Sequence, residues 1–164
     1  MFYILEASEA DIPTIIEIAE KTWKPAYTDI LSEAQIRYML KNLYAPETLQ
    51  HEMTTGSQKF LLLKDDHGPQ AFASFGKRSE NPHVYKLHKL YVLPQNQHRG
   101  YGQKLIQHLK NRLLLENIHI LELNVNRFNK ARIFYEKVGF KIIREEDVPI
   151  GPYWMNDFVM RLEF

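Results

Sequence analysis

The run Gln97-His98-Arg99-Gly100-Tyr101-Gly102 lies between a strand-like stretch and a helical pattern. A strand that turns through two glycines into a helix start aims several main-chain N–H groups at one point. The positive end of the helix dipole adds to their pull on an anion such as a pyrophosphate. The glycines keep Cβ atoms out of the way, so a ligand can approach the main chain closely. Leu105 stands where a dinucleotide-binding fingerprint needs a third glycine, and Lys104 is followed by Leu105 rather than the Ser or Thr of a Walker loop. On these residues alone, a plain strand-to-helix turn is the other reading.

The surrounding periodicity places this turn in a mixed α/β sheet. Residues 2–6 read as a first strand. Ser8 caps a helix whose stripe is Ile12, Ile15, Ile16, Ala19 and Trp23, with Pro13 in its first turns. Ser32-Glu33-Ala34-Gln35 has capping-box spacing and opens a second helix with Ile36, Met39, Leu40 and Leu43 on one face. A short helix is expected from about Pro46 to Thr54. Residues 59–64 and 70–77 form a hairpin around Asp65-Asp66-His67-Gly68-Pro69. Residues 84–93 lead into the glycine turn, and there the parity breaks: Leu90 and Val92 alternate, while Leu87 points the other way unless a bulge intervenes. After the turn come a helix with Leu105, Ile106, Leu109 and Leu113, and a strand at 118–125. A helix with Ala131, Phe134, Tyr135 and Val138 follows, stopped by Gly139. Strands at about 140–147 and 157–163 close the chain.

With 164 residues the chain is expected to be one domain, 1–164, with room for a hydrophobic core. The net charge of +1 gives no general basic field for nucleic acid. There is no cysteine, which removes disulfides, thiolate catalysis and Cys-ligated zinc together. No metal site is expected. The N-terminus does not read as a signal peptide and no apolar run has the length of a membrane span, so a soluble, cytoplasmic protein with no membrane partner is expected.

A second block, Asn129-Lys130-Ala131-Arg132-Ile133-Phe134-Tyr135-Glu136-Lys137-Val138-Gly139-Phe140, narrows the question. With Gln97, Gly100 and Gly102 it resembles the GCN5-related N-acetyltransferases (GNAT), whose phosphate loop reads Gln/Arg-x-x-Gly-x-Gly/Ala. Their later helix commonly reads Asn-x-x-Ala-x-x-Phe-Tyr-x-x-x-Gly-Phe, matched at Asn129, Phe134, Tyr135, Gly139 and Phe140, with Ala131 one position early. The resemblance spans nearly the whole chain in element order. It implies a mostly antiparallel central sheet, flanked by helices, with a splayed cofactor-binding strand pair. It also implies acetyl-CoA as cosubstrate. Main-chain groups of Leu90, Tyr91 and Val92 would pair with the pantetheine arm. The amides of Gln97, His98, Arg99, Gly100, Tyr101, Gly102 and Gln103 would hold the pyrophosphate. Asn129 would bond to the cofactor arm, Tyr135 would lie near the thioester sulfur, and Lys137 is a candidate for a cofactor phosphate.

Acetyl transfer needs a neutral amine nitrogen. For a Lys-like amine of pKa about 10.4, deprotonation at pH 7 costs about 4.6 kcal/mol, so a base or a desolvating site must offset it. Many GNAT members carry a Glu on the strand before the phosphate loop, where this chain has Lys86-Leu87-His88-Lys89. His88 is the candidate base, titrating near neutral pH, with water relays as the alternative. The Val92 N–H is the candidate donor to the developing oxyanion, and Tyr135 the acid that protonates the departing thiolate. Trp23, Tyr27, Tyr153 and Asp157 are candidates for the acceptor cleft, Asp157 facing a cationic amine. The first-helix region Thr22-Trp23-Lys24-Pro25-Ala26-Tyr27 looks like members that act on polyamines. The expected function is therefore direct acetyl transfer to a small amine or polyamine. A protein amine acceptor and a non-catalytic acyl-CoA sensor stay open, and the resemblance is compatible with a homodimer.

Overall fold

The alternating and helical patterns become seven strands and five α-helices in the computed structural model, which describes residues 1–164. In chain order they are β1 (Phe2–Glu6), α1 (Ile12–Tyr27), α2 (Glu33–Leu43), α3 (Pro46–Thr55), β2 (Lys59–Asp65) and β3 (Gly68–Lys77). Then come β4 (Val84–Val92), α4 (Tyr101–Leu115), β5 (Ile120–Asn126), α5 (Ala131–Val138), β6 (Lys141–Ile150) and β7 (Tyr153–Glu163). The strands form one sheet in the order β1-β2-β3-β4-β5-β7-β6. Only β4 and β5 run parallel; every other neighbouring pair is antiparallel. This is the mixed, mostly antiparallel α/β sheet expected.

The pleat sorts side chains onto two faces. On one face, Leu61, Leu63, Leu87 and Leu123 pack against Leu105, Ile106 and Leu109 of α4, with Tyr135 and Phe140 closing the cluster. On the other face, Phe60, Leu62 and Phe72 pack against Ile15, Ile18 and Ala19 of α1, Met39 of α2 and Leu49 of α3. Ser8 and Asp11 form a capping box one turn before α1, and Pro13 sits where its missing N–H costs nothing.

Two expectations change. Ser32 Oγ accepts the Gln35 N–H at 3.1 Å, but the Gln35 side chain does not complete a capping box. It crosses to β7 and donates to the Trp154 carbonyl at 2.9 Å, tying α2 to the sheet. The final hairpin is longer than residues 140–147 and 157–163: pairing runs on to Ile150 and Tyr153, and Gly151 turns the chain at φ 57. Pro149 is tolerated because β6 is an edge strand.

Candidate active site

The parallel pairing of β4 and β5 ends at Leu87 and Leu123. Past that point the two strands separate, and the reason lies in β4. Ser74 of β3 pairs with Lys89 and Phe75 with Leu87, which leaves His88 as an extra, bulged residue. The bulge brings Leu87, Leu90 and Val92 onto one face, as their parity required. The Leu93 N–H donates to the Gln70 carbonyl at 2.9 Å. By alternation along an antiparallel ladder, Tyr91 exchanges its main-chain bonds with β3, while Leu90 and Val92 turn theirs toward the gap. The Val92 carbonyl is taken by the Gln97 side chain at 3.2 Å. An extended ligand arm entering the gap thus meets Leu90 and the Val92 N–H.

At the end of this edge α4 begins. Gly100 caps it at φ 76, a left-handed conformation that a side chain would strain. The amides of His98, Gly100, Tyr101, Gly102 and Gln103 make no main-chain hydrogen bond, whereas those of Gln97 and Arg99 donate to Pro94 and Asn96. The five free N–H groups at a helix start form the anion cradle read from the sequence. A Cβ on Gly102 would stand 3.2 Å from the Phe134 ring, so the second glycine lets α5 pack onto α4. The two sequence blocks are in contact. Tyr101 fixes the helix start: its ring is buried and its hydroxyl donates to Asp65 at 2.7 Å.

Tyr135 is buried, packed edge-on between Phe134 and Phe140. Burial pushes its pKa up, so the hydroxyl stays protonated at neutral pH. It neighbours Tyr27, which lies close to Tyr91 and Asn129, and burial raises the pKa of Tyr27 as well. Asn129 also caps α5, its side-chain oxygen accepting the Ala131 N–H at 2.9 Å.

Beyond β4, the face that carries α1–α3 is polar. Glu122 of β5 accepts from Arg78 at 2.6 Å and from Arg161 at 2.6 Å. Burial alone would raise the Glu122 pKa; the two guanidiniums hold it below the usual carboxylate range. Two residues on, Asn124 donates to Asp157 at 3.2 Å and to Glu146 at 3.4 Å. Burial raises the pKa of Asp157. Lys86 is pushed down by burial and then by Arg78.

The model of the GNAT acetyltransferase domain matches residues 27–156. The chain belongs to the GNAT acetyltransferases. It is 27% identical to the spermidine N(1)-acetyltransferase of Thermoplasma acidophilum over 163 residues, 98% of this chain and 96% of that protein. The crystal structure of the PaiA N-acetyltransferase from the same organism, in complex with coenzyme A, superposes with a TM-score of 0.84 at 27% identity, covering 100% of this chain and 99% of that one. A GCN5-related N-acetyltransferase from Rhodopseudomonas palustris shares the fold, with a TM-score of 0.82 at 20% identity over 99% of this chain and 95% of that one. The chain is thus an N-acetyltransferase with acetyl-CoA as its cosubstrate.

Within this GNAT domain several sequence expectations need correction. His88 stands exposed at the bulge, and desolvation, then Lys86, Lys89 and Arg78, push its pKa down to about 3, which does not favour a base titrating near neutral pH. Tyr91 spends its main-chain groups on β3, and the Gln97 and Arg99 amides are used inside the loop. Trp23 does not wall a cleft. It is 3% exposed, stacked on Tyr27 at 4.5 Å, and its indole N–H donates to the Tyr44 hydroxyl at 3.3 Å. Tyr153 packs on Tyr38 of α2 at the hairpin end, ring centroids 5.3 Å apart. Lys137, exposed on α5, stays open to a cofactor phosphate. Tyr27, Asp157, Asn129 and Tyr135, in contrast, are brought together. Asn124, Lys86 and the Arg78–Glu122–Arg161 network were missed; their only sequence signal is polar residues at alternate positions of otherwise apolar strands.

Proposed function

We propose that this domain transfers the acetyl group of acetyl-CoA directly to a primary amine of a small molecule, with polyamines as the favoured acceptors. The observation that carries the reading is the open main-chain edge at Leu90 and Val92, continuous with the amide cradle and flanked by a protonated, buried tyrosine. The amides of His98, Gly100, Tyr101, Gly102 and Gln103 would hold the pyrophosphate, and Leu90 with the Val92 N–H would align the pantetheine arm. The thioester supplies the activated acetyl group. The Val92 N–H would donate to charge developing on the acetyl oxygen, and Tyr135 would give its proton to the sulfur as the C–S bond breaks.

With no cysteine in the chain, no thiol is available to carry the acetyl group, which favours direct transfer in a ternary complex. Tyr27 and Asp157 would line the acceptor side, where a carboxylate suits a cationic amine. The similarity to a spermidine acetyltransferase supports the polyamine class. We further take residues 1–164 as a single catalytic domain acting in the cytoplasm; no helix is long and apolar enough to cross a membrane.

The test is thiol release from acetyl-CoA across a panel of polyamines, monoamines and lysine peptides. Turnover highest with polyamines is expected; turnover with peptides alone would overturn the acceptor class.

A further inference from the structure

Three buried side-chain atoms in the molecule lack a hydrogen-bond partner, and two of them are neighbours: Asn124 Oδ1 and Asp157 Oδ1. Asn124 Nδ2 donates to Asp157 Oδ2 and to Glu146 Oε1. This fixes the amide orientation, because the flipped form would set an oxygen against two carboxylates. Each residue is thus left with one free acceptor. Asp157 is only 6% exposed. A buried acceptor without a donor is costly, more so when it is charged, so the pair is suited to something that brings N–H groups. The Lys86 ammonium acts on Asp157 through its charge but makes no ion pair with it and leaves Oδ1 unpaired. The main-chain carbonyl of Asp157 is already held by Arg127 at 3.1 Å, which keeps the strand in place around the site.

Position gives the pair its meaning. Asn124 is the first residue of β5 past the last residue paired with β4, and Asp157 lies on β7, the next strand. The pair therefore lies across the widening gap from the open edge of β4. A nitrogen attacking beside the Val92 N–H sits at the β4 edge, so the pair on the far wall suits a second nitrogen of the same acceptor, carried on a short carbon spacer.

Resting on the acceptor reading above, we propose that Asn124 Oδ1 and Asp157 Oδ1 form a subsite for the distal ammonium of a diamine or polyamine. The subsite selects such acceptors over monoamines of equal length. It adds binding without touching the reacting nitrogen, so its signature is a ratio between acceptors.

The experiment compares kcat/KM for 1,4-diaminobutane and butylamine in the wild type and in Asp157→Asn, with acetyl-CoA affinity measured in both. The wild type is expected to favour the diamine by about tenfold or more, and the variant to lose that preference while binding acetyl-CoA as before. Equal wild-type rates for the two amines, or a preference that survives in Asp157→Asn, would overturn the subsite and leave the acetyltransferase reading intact. Failure of the wild type to acetylate either amine would instead overturn the small-amine reading, and the subsite with it. If the variant does not fold, the side-chain amide resonances of Asn124 in the wild type decide. A shift with 1,4-diaminobutane and not with butylamine supports the subsite, and no shift with either refutes it.

Discussion

The face of the sheet that carries α1–α3 is two surfaces joined at β4. From β1 to β3 it is apolar and covered: Phe60, Leu62 and Phe72 lie under three helices and exclude water. From β4 to β7 the same pleat carries Lys86, Glu122, Asn124, Asp157 and Arg161, tied to one another by ion pairs and hydrogen bonds. The covered half supplies stability and fixes β4. The polar half carries ion pairs and two unmatched acceptors. The strand between them is the one with the bulge, and the bulge is what lets the two halves part.

This contrast can be broken at either half. Leu62→Ala should cost about 2–5 kcal/mol of stability, measured by denaturant unfolding, with kcat of the folded protein unchanged. A loss of turnover without a loss of stability would mean that the covered half takes part in chemistry. Tyr135→Phe should keep the fold and hold acetyl-CoA affinity within a few-fold while lowering kcat about 100-fold, read by steady-state kinetics. Unchanged kcat would remove its acid role. Gly102→Val should push on the Phe134 ring and cost about 1–3 kcal/mol, seen as a lowered Tm. An unchanged Tm would show that the two helices do not depend on that close approach.

The smallest effect concerns His88. Its folded pKa of about 3 lies below the ordinary 6.5, so above pH 6.5 it is neutral both folded and unfolded and adds no pH dependence. As pH falls from 6.5 toward 3 the unfolded chain takes up the proton first, and stability is lost. His88→Ala should therefore leave the pH–rate profile unchanged from pH 6 to 9 and flatten the loss of stability in acid. A vanished kinetic limb near neutral pH would contradict the depressed pKa.

The parts of the molecule legible in sequence are those set by local rules. The broken parity of Leu87, Leu90 and Val92 announced the bulge, and Gly100-Tyr101-Gly102 announced the cradle. What was not legible depends on distant neighbours. Gln35 leaves its capping box because Trp154 offers a carbonyl across the fold. The pKa of His88 is pushed down by desolvation and then by the charges of Lys86, Lys89 and Arg78, which its own strand pattern does not reveal. The final hairpin was cut short because Pro149, Gly151 and Pro152 carry loop signals, although an edge strand can absorb a proline. Helical spacing cannot tell a core aromatic from a lining one, so Trp23 reads as a cleft wall in sequence and is core in the fold.

The central claim is that the glycine turn and the parted strands together hold acetyl-CoA. Calorimetry with acetyl-CoA on the wild type and on Gly100→Val, with NAD as control and circular dichroism to confirm the fold, tests it most directly. Binding by the wild type, its loss in the folded variant and silence from NAD are expected. Equal affinity in the two proteins would place the phosphate site elsewhere and contradict the claim.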